Sequence, residues 1–144
     1  MTNKLRYFIG NWKMFGDFTS IKIIRKIHLH FAKFKKLSKK SKIIICVPDT
    51  LIYFFSRKLK SKIVSLGAQN CHQYNNSGPF TGSVSASMVR KAGAKYIILG
   101  HSEKRIEGDT NSIIRKKIEV ALSEKLNVIF CIGESLIEKR KNKP

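Results

Sequence analysis

The sequence predicts an α/β protein in which helices wrap a parallel β-sheet. Short apolar runs without polar alternation recur five times along the 144 residues, which is typical of strands buried on both faces. Segments with helical periodicity separate these runs, and neither a linker nor a shift in composition interrupts the alternation. Right-handed crossovers then bring the carboxyl ends of all the strands to one edge of the sheet.

Each predicted strand is an apolar run that stops at a turn residue. Ile, Val, Phe and Tyr dominate the runs, and Gly or Pro lies at or next to the end of each one. The strands are expected at residues 6–10, 42–47, 63–68, 96–99 and 127–133. The loop at residues 69–82 is long for a connection between a strand and a helix, and long loops are often functional.

The helices are predicted from apolar residues at three- and four-residue steps with lysines between them. In the first helix Ile21, Ile24 and Phe31 form the apolar stripe, and Thr19 or Ser20 is expected to cap its start. The helices are expected at 19–37, from Asp49 or Thr50 to 59, at 85–92, from Thr110 or Asn111 onward, and from Glu134 onward.

The charge is strongly positive, with 29 Lys and Arg against 9 Asp and Glu and a net charge of +20. One interpretation is a polyanionic partner such as nucleic acid. The favoured interpretation is a bias of composition, because the bases are scattered over the chain and no recognised nucleic-acid module appears. Nucleic acid is therefore not the expected partner.

Cysteine use and hydropathy indicate a cytoplasmic protein. Cys46, Cys71 and Cys131 are odd in number and far apart, which suits free thiols in a reducing compartment. No Cys or His pair has the spacing of metal ligands, so no metal site is expected. No apolar run is long enough to cross a membrane, and the first residues do not form a signal peptide.

A histidine follows the fourth predicted strand. Gly100 allows the backbone to turn sharply, and His101 then lies at a carboxyl strand end, where α/β proteins place their chemistry. A histidine there can transfer protons near neutral pH. Alternatively, His101 caps the turn and hydrogen-bonds to the backbone, and both interpretations stay open at this point.

A cation and an amide follow the first predicted strand. Lys13 supplies positive charge for a phosphate or a developing oxyanion, and Asn11 adds an amide donor beside it. Glu103 is a candidate partner for Lys13 across the edge of the sheet, the alternative being a local pair with a base at 104 or 105. A cation, an amide and a histidine on one edge suit proton transfer next to a carbonyl, which passes through an enediolate-like anion.

Five motifs together resemble the triosephosphate isomerase family. They are GNWKM at 10–14, GAQNCH at 67–72, FTG at 80–82, LGHSE at 99–103 and CIGE at 131–134. They follow the family's order and approximate spacing over essentially the whole chain. The resemblance implies a (β/α)₈ barrel, of which residues 1–144 would form one partial domain with strands 1–5. It implies the interconversion of dihydroxyacetone phosphate and glyceraldehyde 3-phosphate, a small phosphorylated triose, without a cofactor.

The resemblance also implies roles for individual residues. Lys13 and Asn11 would bind the substrate, and Lys13 would stabilise negative charge that develops on it. His101 would be the neutral electrophile at the substrate oxygens, a property of the family rather than a deduction from spacing. Ser102 and Glu103 would not touch the substrate but would hold the residues that do.

A homodimer is implied as well, because in the family the loop matching residues 69–82 inserts into the partner subunit. The implied interface residues are Gln69, Asn70, Thr81 and Gly82. Two positions depart from the family pattern, since Ser83 and Lys104 replace a Glu and an Arg that form an ion pair across the dimer. The dimer is therefore expected to be weaker than the resemblance alone implies.

A complete barrel of this class needs roughly 250 residues. In the family the glutamate that abstracts the proton follows strand six, and the lid and phosphate loops follow strands six to eight. None of these is expected within residues 1–144, and Glu134 matches the start of the helix after strand five instead. The resulting interpretation is an isomerase polypeptide truncated after its fifth unit. The alternatives are a non-catalytic half-barrel and, less favoured, a basic protein that binds nucleic acid.

Overall fold

Five parallel strands form a curled half-barrel. The computed structural model describes residues 5–34, 39–59, 61–134 and 139–140. Within them every strand pairs in parallel with the next strand along the chain. The strands are β1 (Arg6–Asn11), β2 (Ser41–Cys46), β3 (Val64–Ala68), β4 (Tyr96–Leu99) and β5 (Asn127–Phe130). The alternation of strands and helices is as predicted.

Helices cover the outer face of the sheet. They are α1 (Ile21–Lys33), α2 (Asp49–Lys58), α3 (Ala86–Ala92), α4 (Ser102–Ile106) and α5 (Asn111–Ser123), with a short 3₁₀ helix at Phe18–Ser20 before α1. In the part of the chain that the structure describes, no helix combines the length and the apolar character needed to cross a membrane.

Apolar side chains are buried on both faces of the sheet. The larger core lies between sheet and helices, and its largest fully buried members include Ile24, Ile52, Phe55 and Ile97. Each such side chain contributes about 1.5–3 kcal/mol when it leaves water. A second cluster on the concave face contains Ile44, Cys46, Tyr96 and Ile98. Burial on both faces explains why these strands have no polar alternation.

The outermost strands keep apolar side chains in contact with solvent. On β1, Tyr7 and Ile9 are 53% and 45% exposed. Ile9 is paired with Ile44 of β2, which lies on the concave face. At the opposite edge Phe130 and Ile132 are 49% and 81% exposed. The two edges and the concave face therefore form a partly apolar open surface.

The start of the first helix differs from the prediction. Asp17 accepts hydrogen bonds from the backbone N–H groups of Thr19 and Ser20, and so caps the 3₁₀ helix. Ser20 is at the N-cap position of α1, as predicted, but its side chain makes no capping bond to α1, and the Asp17 carboxylate caps the preceding 3₁₀ helix.

Other boundaries also differ. The first helix ends at Lys33 and Phe34 leaves the helical conformation, while the predicted end at Leu37 lies outside the described residues. The second helix begins at Asp49 itself, with Pro48 as its N-cap and without a side-chain cap. The fifth strand ends at Phe130, three residues before the predicted end.

The region after β4 contains a helix that the sequence did not predict. Because α4 has only five residues, it is too short to show an apolar period. Of the two predicted starts of α5, Thr110 or Asn111, Thr110 is the N-cap, and its hydroxyl accepts from the Ile113 N–H. Glu134 is not helical, and residues 135–138 lie outside the described part of the chain.

Candidate active site

His101 both caps a helix and leaves one ring nitrogen for other partners. It is the N-cap of α4, and its Nδ1 accepts a hydrogen bond from the Glu103 N–H at 3.3 Å. A neutral imidazole that accepts at Nδ1 carries its proton on Nε2, so the tautomer follows from this contact. The His101 side chain is one-quarter exposed, which leaves room for Nε2 to donate to a ligand.

Lys13 has an unusual backbone conformation that two side chains hold in place. Its φ is +53°, in the left-handed region that residues other than glycine rarely adopt. The Lys13 N–H donates to Asn11 Oδ1 at 3.0 Å. Gln69 Nε2 donates to the carbonyl oxygens of Lys13 at 2.9 Å and of Cys46 at 3.1 Å. These bonds orient the turn that carries the ammonium group.

The tryptophan between the two polar residues anchors the turn. Trp12 is half-buried and packs edge-to-face against Phe55 of α2, with ring centroids 6.0 Å apart. Gly16, at a φ of +100°, lies so close that a Cβ there would be 2.9 Å from the Trp12 ring. Asn11 and Lys13 are thereby fixed to the core.

Glu103 connects the two strand ends. Its Oε1 accepts a hydrogen bond from Lys13 Nζ at 2.7 Å, which confirms the predicted pair across the edge and excludes the local alternative for that oxygen. Its Oε2 lies 3.6 Å from His101 Nδ1. The hydrogen bond from Lys13 is the main cause that lowers the pKa of the Glu103 carboxyl, which is therefore charged at neutral pH.

The predicted lysine and histidine line two neighbouring cavities rather than one. Lys13 and Glu103 face a cavity of about 630 Å³, together with Gln69 and Asn70. His101 faces a cavity of about 710 Å³ that includes Ser102 and extends to Glu134. Glu103 contacts both Lys13 and His101, and so lies at the boundary between the cation and the histidine.

The predicted interface residues are on the same loop but in different environments. Gln69 and Asn70 are half-buried and bind atoms of their own chain, while Thr81 and Gly82 are exposed. Gly82 has a φ of +79° and open space around it. A role for these residues between subunits stays a prediction. At one of the departures from the family, Lys104 pairs with Glu107, the residue just after α4 in its own chain.

A buried ion pair at the site was missed. Lys117 of α5 is almost completely buried and donates to both oxygens of Asp109 at 2.7 Å and to Asn70 Oδ1 at 3.1 Å. It lies on the buried side of the helix with Ile114 and Ala121. A lysine at an apolar-face position, eight residues after an aspartate, was the signal that could have found it.

The buried thiols are not reactive groups. Burial raises the pKa of both Cys46 and Cys71 to about 12, so both stay protonated at neutral pH. Cys131 is partly exposed and its thiol pKa is also raised by burial. The three cysteines are free, as the sequence predicts.

Comparison with known proteins gives the same assignment throughout. The family model for triosephosphate isomerase matches residues 6–144. The triosephosphate isomerase of Bartonella henselae is 38% identical over 99% of this chain and 56% of its own length. That of Aquifex aeolicus is 38% identical over 93% of this chain and 53% of its own length. The crystal structure of the Bartonella henselae enzyme superposes with a TM-score of 0.87 at 37% identity, covering 96% of this chain and 56% of that one.

The chain spans about half the length of the curated relatives that it matches. Its five parallel strands and their helices are a partial TIM barrel, as the resemblance implied. The family model covers nearly the whole sequence, and the fold superposes closely on that of a family member. The chain therefore belongs to the triosephosphate isomerase family.

Proposed function

We propose that this chain carries the electrophilic part of a triosephosphate isomerase active site, for the interconversion of dihydroxyacetone phosphate and D-glyceraldehyde 3-phosphate. The observation that carries the proposal is the His101 ring, whose Nδ1 accepts from the Glu103 N–H so that Nε2 is the donor. This donor and the Lys13 ammonium lie on either side of Glu103 at one edge of the sheet. The reaction is inferred from membership of the family.

The chemistry needs donors aimed at oxygen. A base removes a proton from the carbon next to the substrate carbonyl, and the electron pair of that C–H bond moves to give an enediolate. The His101 Nε2–H donates to the oxygens on which the charge develops. By resemblance to the family, the imidazole that donates is neutral. Lys13 adds a fixed positive charge, with the Asn11 amide beside it. Ser102 and Glu103 hold these groups in place.

The base itself is proposed to come from outside the five strands. Glu103 is engaged with Lys13, and Glu134, which lies beyond the end of β5, does not match the family's base. By resemblance, the proton-abstracting glutamate follows a sixth strand, in the part of the relatives that this chain does not match. A general base contributes about 10²–10⁴-fold to the rate, so the five strands alone are expected to be weak catalysts.

The remaining features of the proposal follow from the family. Residues 1–144 form one partial TIM-barrel domain of a cytoplasmic enzyme of glycolysis and gluconeogenesis. The substrate is a small phosphorylated triose and no cofactor takes part. The protein forms a homodimer through the loop at 69–82, which is weakened because Ser83 and Lys104 replace both members of the family's ion pair and Lys104 pairs with Glu107 of its own chain. Nucleic acid and membranes are not partners.

The decisive test is turnover by a completed barrel. Residues 1–144 are joined to the part of the Bartonella henselae enzyme that they do not match, and the fusion is produced in a host without its own isomerase. We expect interconversion of the two triose phosphates, and a loss of about 10²–10³-fold in kcat for His101→Gln. His30→Gln, on the exposed side of α1, is the matched control and should keep full activity.

Two outcomes would contradict the proposal: a folded fusion without turnover, or turnover that His101→Gln leaves unchanged. The first favours the non-catalytic half-barrel. The intact mass of the protein from its source cells identifies the natural context. A mass of 16.5 kDa would require turnover by the five strands themselves or with a second polypeptide, whereas a mass near that of a ~250-residue chain would place the base in the same chain.

A further inference from the structure

Arg105 joins three structural elements next to the candidate histidine. Its Nε donates to the Gly100 carbonyl at 2.8 Å, and its Nη1 donates to Asn111 Oδ1, at the start of α5, also at 2.8 Å. Its Nη2 donates to the Cys131 carbonyl, just after β5, at 3.4 Å. The planar guanidinium can reach three acceptors in fixed directions, which a lysine ammonium cannot reproduce.

The peptide immediately before His101 is enclosed by this contact. Gly100 has a φ of +77°, and a Cβ there would lie 3.0 Å from the Cys131 carbonyl oxygen and 3.1 Å from Arg105 Nη2. The guanidinium therefore fills the space that a side chain at position 100 would need. On the other side of the same residue, the Glu103 N–H holds the His101 ring by its Nδ1.

We propose that Arg105 is a positioning residue for His101. It holds the carbonyl of Gly100 next to the end of β5. The backbone that leads into His101 therefore has one orientation, and the ring points Nε2 in one direction. This inference rests on the proposed function, because the direction of Nε2 matters only if the ring donates to substrate oxygens.

The expected effect of losing the contact falls on the chemical step. A donor that strengthens its bond as negative charge develops acts mainly in the transition state, so misdirecting it lowers kcat more than it changes KM. A displacement of about 1 Å in a positioned group can reduce the rate about 10²-fold. Glu103 pairs with Lys13 on the opposite side of α4, and this contact is independent of the guanidinium.

The first experiment is kinetic and uses the completed barrel. We expect Arg105→Lys, which keeps the charge but not the three bonds, to lower kcat about 10–100-fold and to change KM less than about threefold. Arg115→Lys is the control, because Arg115 is an exposed arginine of α5 paired with Glu119, and its kinetics should not change. Asn111→Ala removes one of the three acceptors and should give a smaller loss of kcat; it also serves if Arg105→Lys does not fold.

The second experiment needs no turnover and uses the same completed barrel. In the unsubstituted chain the nitrogen-15 shifts of His101 should show an acceptor at Nδ1 and a proton on Nε2. In Arg105→Lys this tautomer preference should weaken and the Glu103 amide should exchange faster, whereas Arg115→Lys should match the unsubstituted chain. Unchanged His101 shifts or an unchanged kcat would overturn the inference. Altered shifts in a chain whose completed barrel has no activity would support the positioning and overturn the proposed function.

Discussion

Glu103 accepts a hydrogen bond from Lys13 at 2.7 Å, and so joins two residues that lie 90 positions apart in the sequence, each shortly after the end of a strand. The contact brings the cation after β1 to the helix that follows β4. Because Glu103 also donates its backbone N–H to His101, one residue orients both the cation and the imidazole. The candidate site is therefore a linked set rather than three independent side chains.

The pair gives a pH-dependent contribution to stability. The folded pKa of Glu103 is lowered, chiefly by the hydrogen bond from Lys13, so its contribution is complete above the ordinary carboxyl pKa and is lost as the pH falls through the lowered value. We expect Glu103→Gln to lower the melting temperature slightly at pH 7 and not at all in acid below that pKa. Thermal scans across pH test this, and an equal difference at all pH values would contradict it.

The buried pair of Lys117 and Asp109 should matter far more than an exposed pair. We expect Lys117→Met to cost about 3–5 kcal/mol in the free energy of unfolding, because it leaves a largely buried carboxylate without its partner. Arg115→Met removes an exposed pair from the same helix and should cost no more than about 1 kcal/mol. Urea unfolding measures both changes. Similar losses for the two variants would show that the burial of Lys117 is not maintained in solution.

Gly100 should tolerate a side chain less well than another glycine with positive φ. Gly100→Ala combines the left-handed strain of about 1–2 kcal/mol with contacts of about 3.0 Å to Cys131 and Phe130. Gly82→Ala is the control, because Gly82 has a φ of +79°, close to that of Gly100, and no atom within 4 Å of the added Cβ. We expect the first change to destabilise the protein by at least 1 kcal/mol more than the second in denaturant titrations. Equal effects would exclude close packing at Gly100.

The open concave surface should cause residues 1–144 to self-associate. Tyr7 and Ile9 expose apolar area on an edge strand, where free backbone groups can pair with another chain. We expect sedimentation to show oligomers or aggregates, and Ile9→Lys to increase the monomer fraction. Leu29→Lys, at a more exposed apolar position on α1, should not. A monodisperse, cooperatively unfolding monomer without substitutions would contradict the prediction.

The positive charge should give only salt-sensitive binding to polyanions. Residues 18–102 contain sixteen Lys and Arg and a single acid, Asp49. The ion pairs between Lys or Arg and acids in the described part of the chain use bases outside this stretch. We expect retention on duplex DNA at low salt that falls steeply and is weaker than about 10⁻⁶ M at ~0.15 M salt. Sub-micromolar binding at that salt would instead support a nucleic-acid function.

The elements that the sequence predicted well are those with a strong local signal. The strand at Tyr96–Leu99 has the predicted bounds, and the hydroxyl of Thr110 caps α5. The five-residue helix after His101 and the Asp17 cap were missed, because a single turn has no period and one strong acceptor overrides several weaker ones. Local pattern therefore predicted the order of the elements better than their ends.

The sequence by itself determined the fold class, the common edge of the strand ends and the residues with chemistry there, because apolar period and turn residues are local properties. Only the tertiary structure decided which partners those residues take. Gln69, whose expected role at an interface stays a prediction, holds the backbone of Lys13. Arg105 bridges Gly100 and Cys131, and Lys117 reaches Asn70. These contacts span from 5 to 56 residues, and their geometry is set by how the sheet curls and the helices pack, which no local pattern encodes.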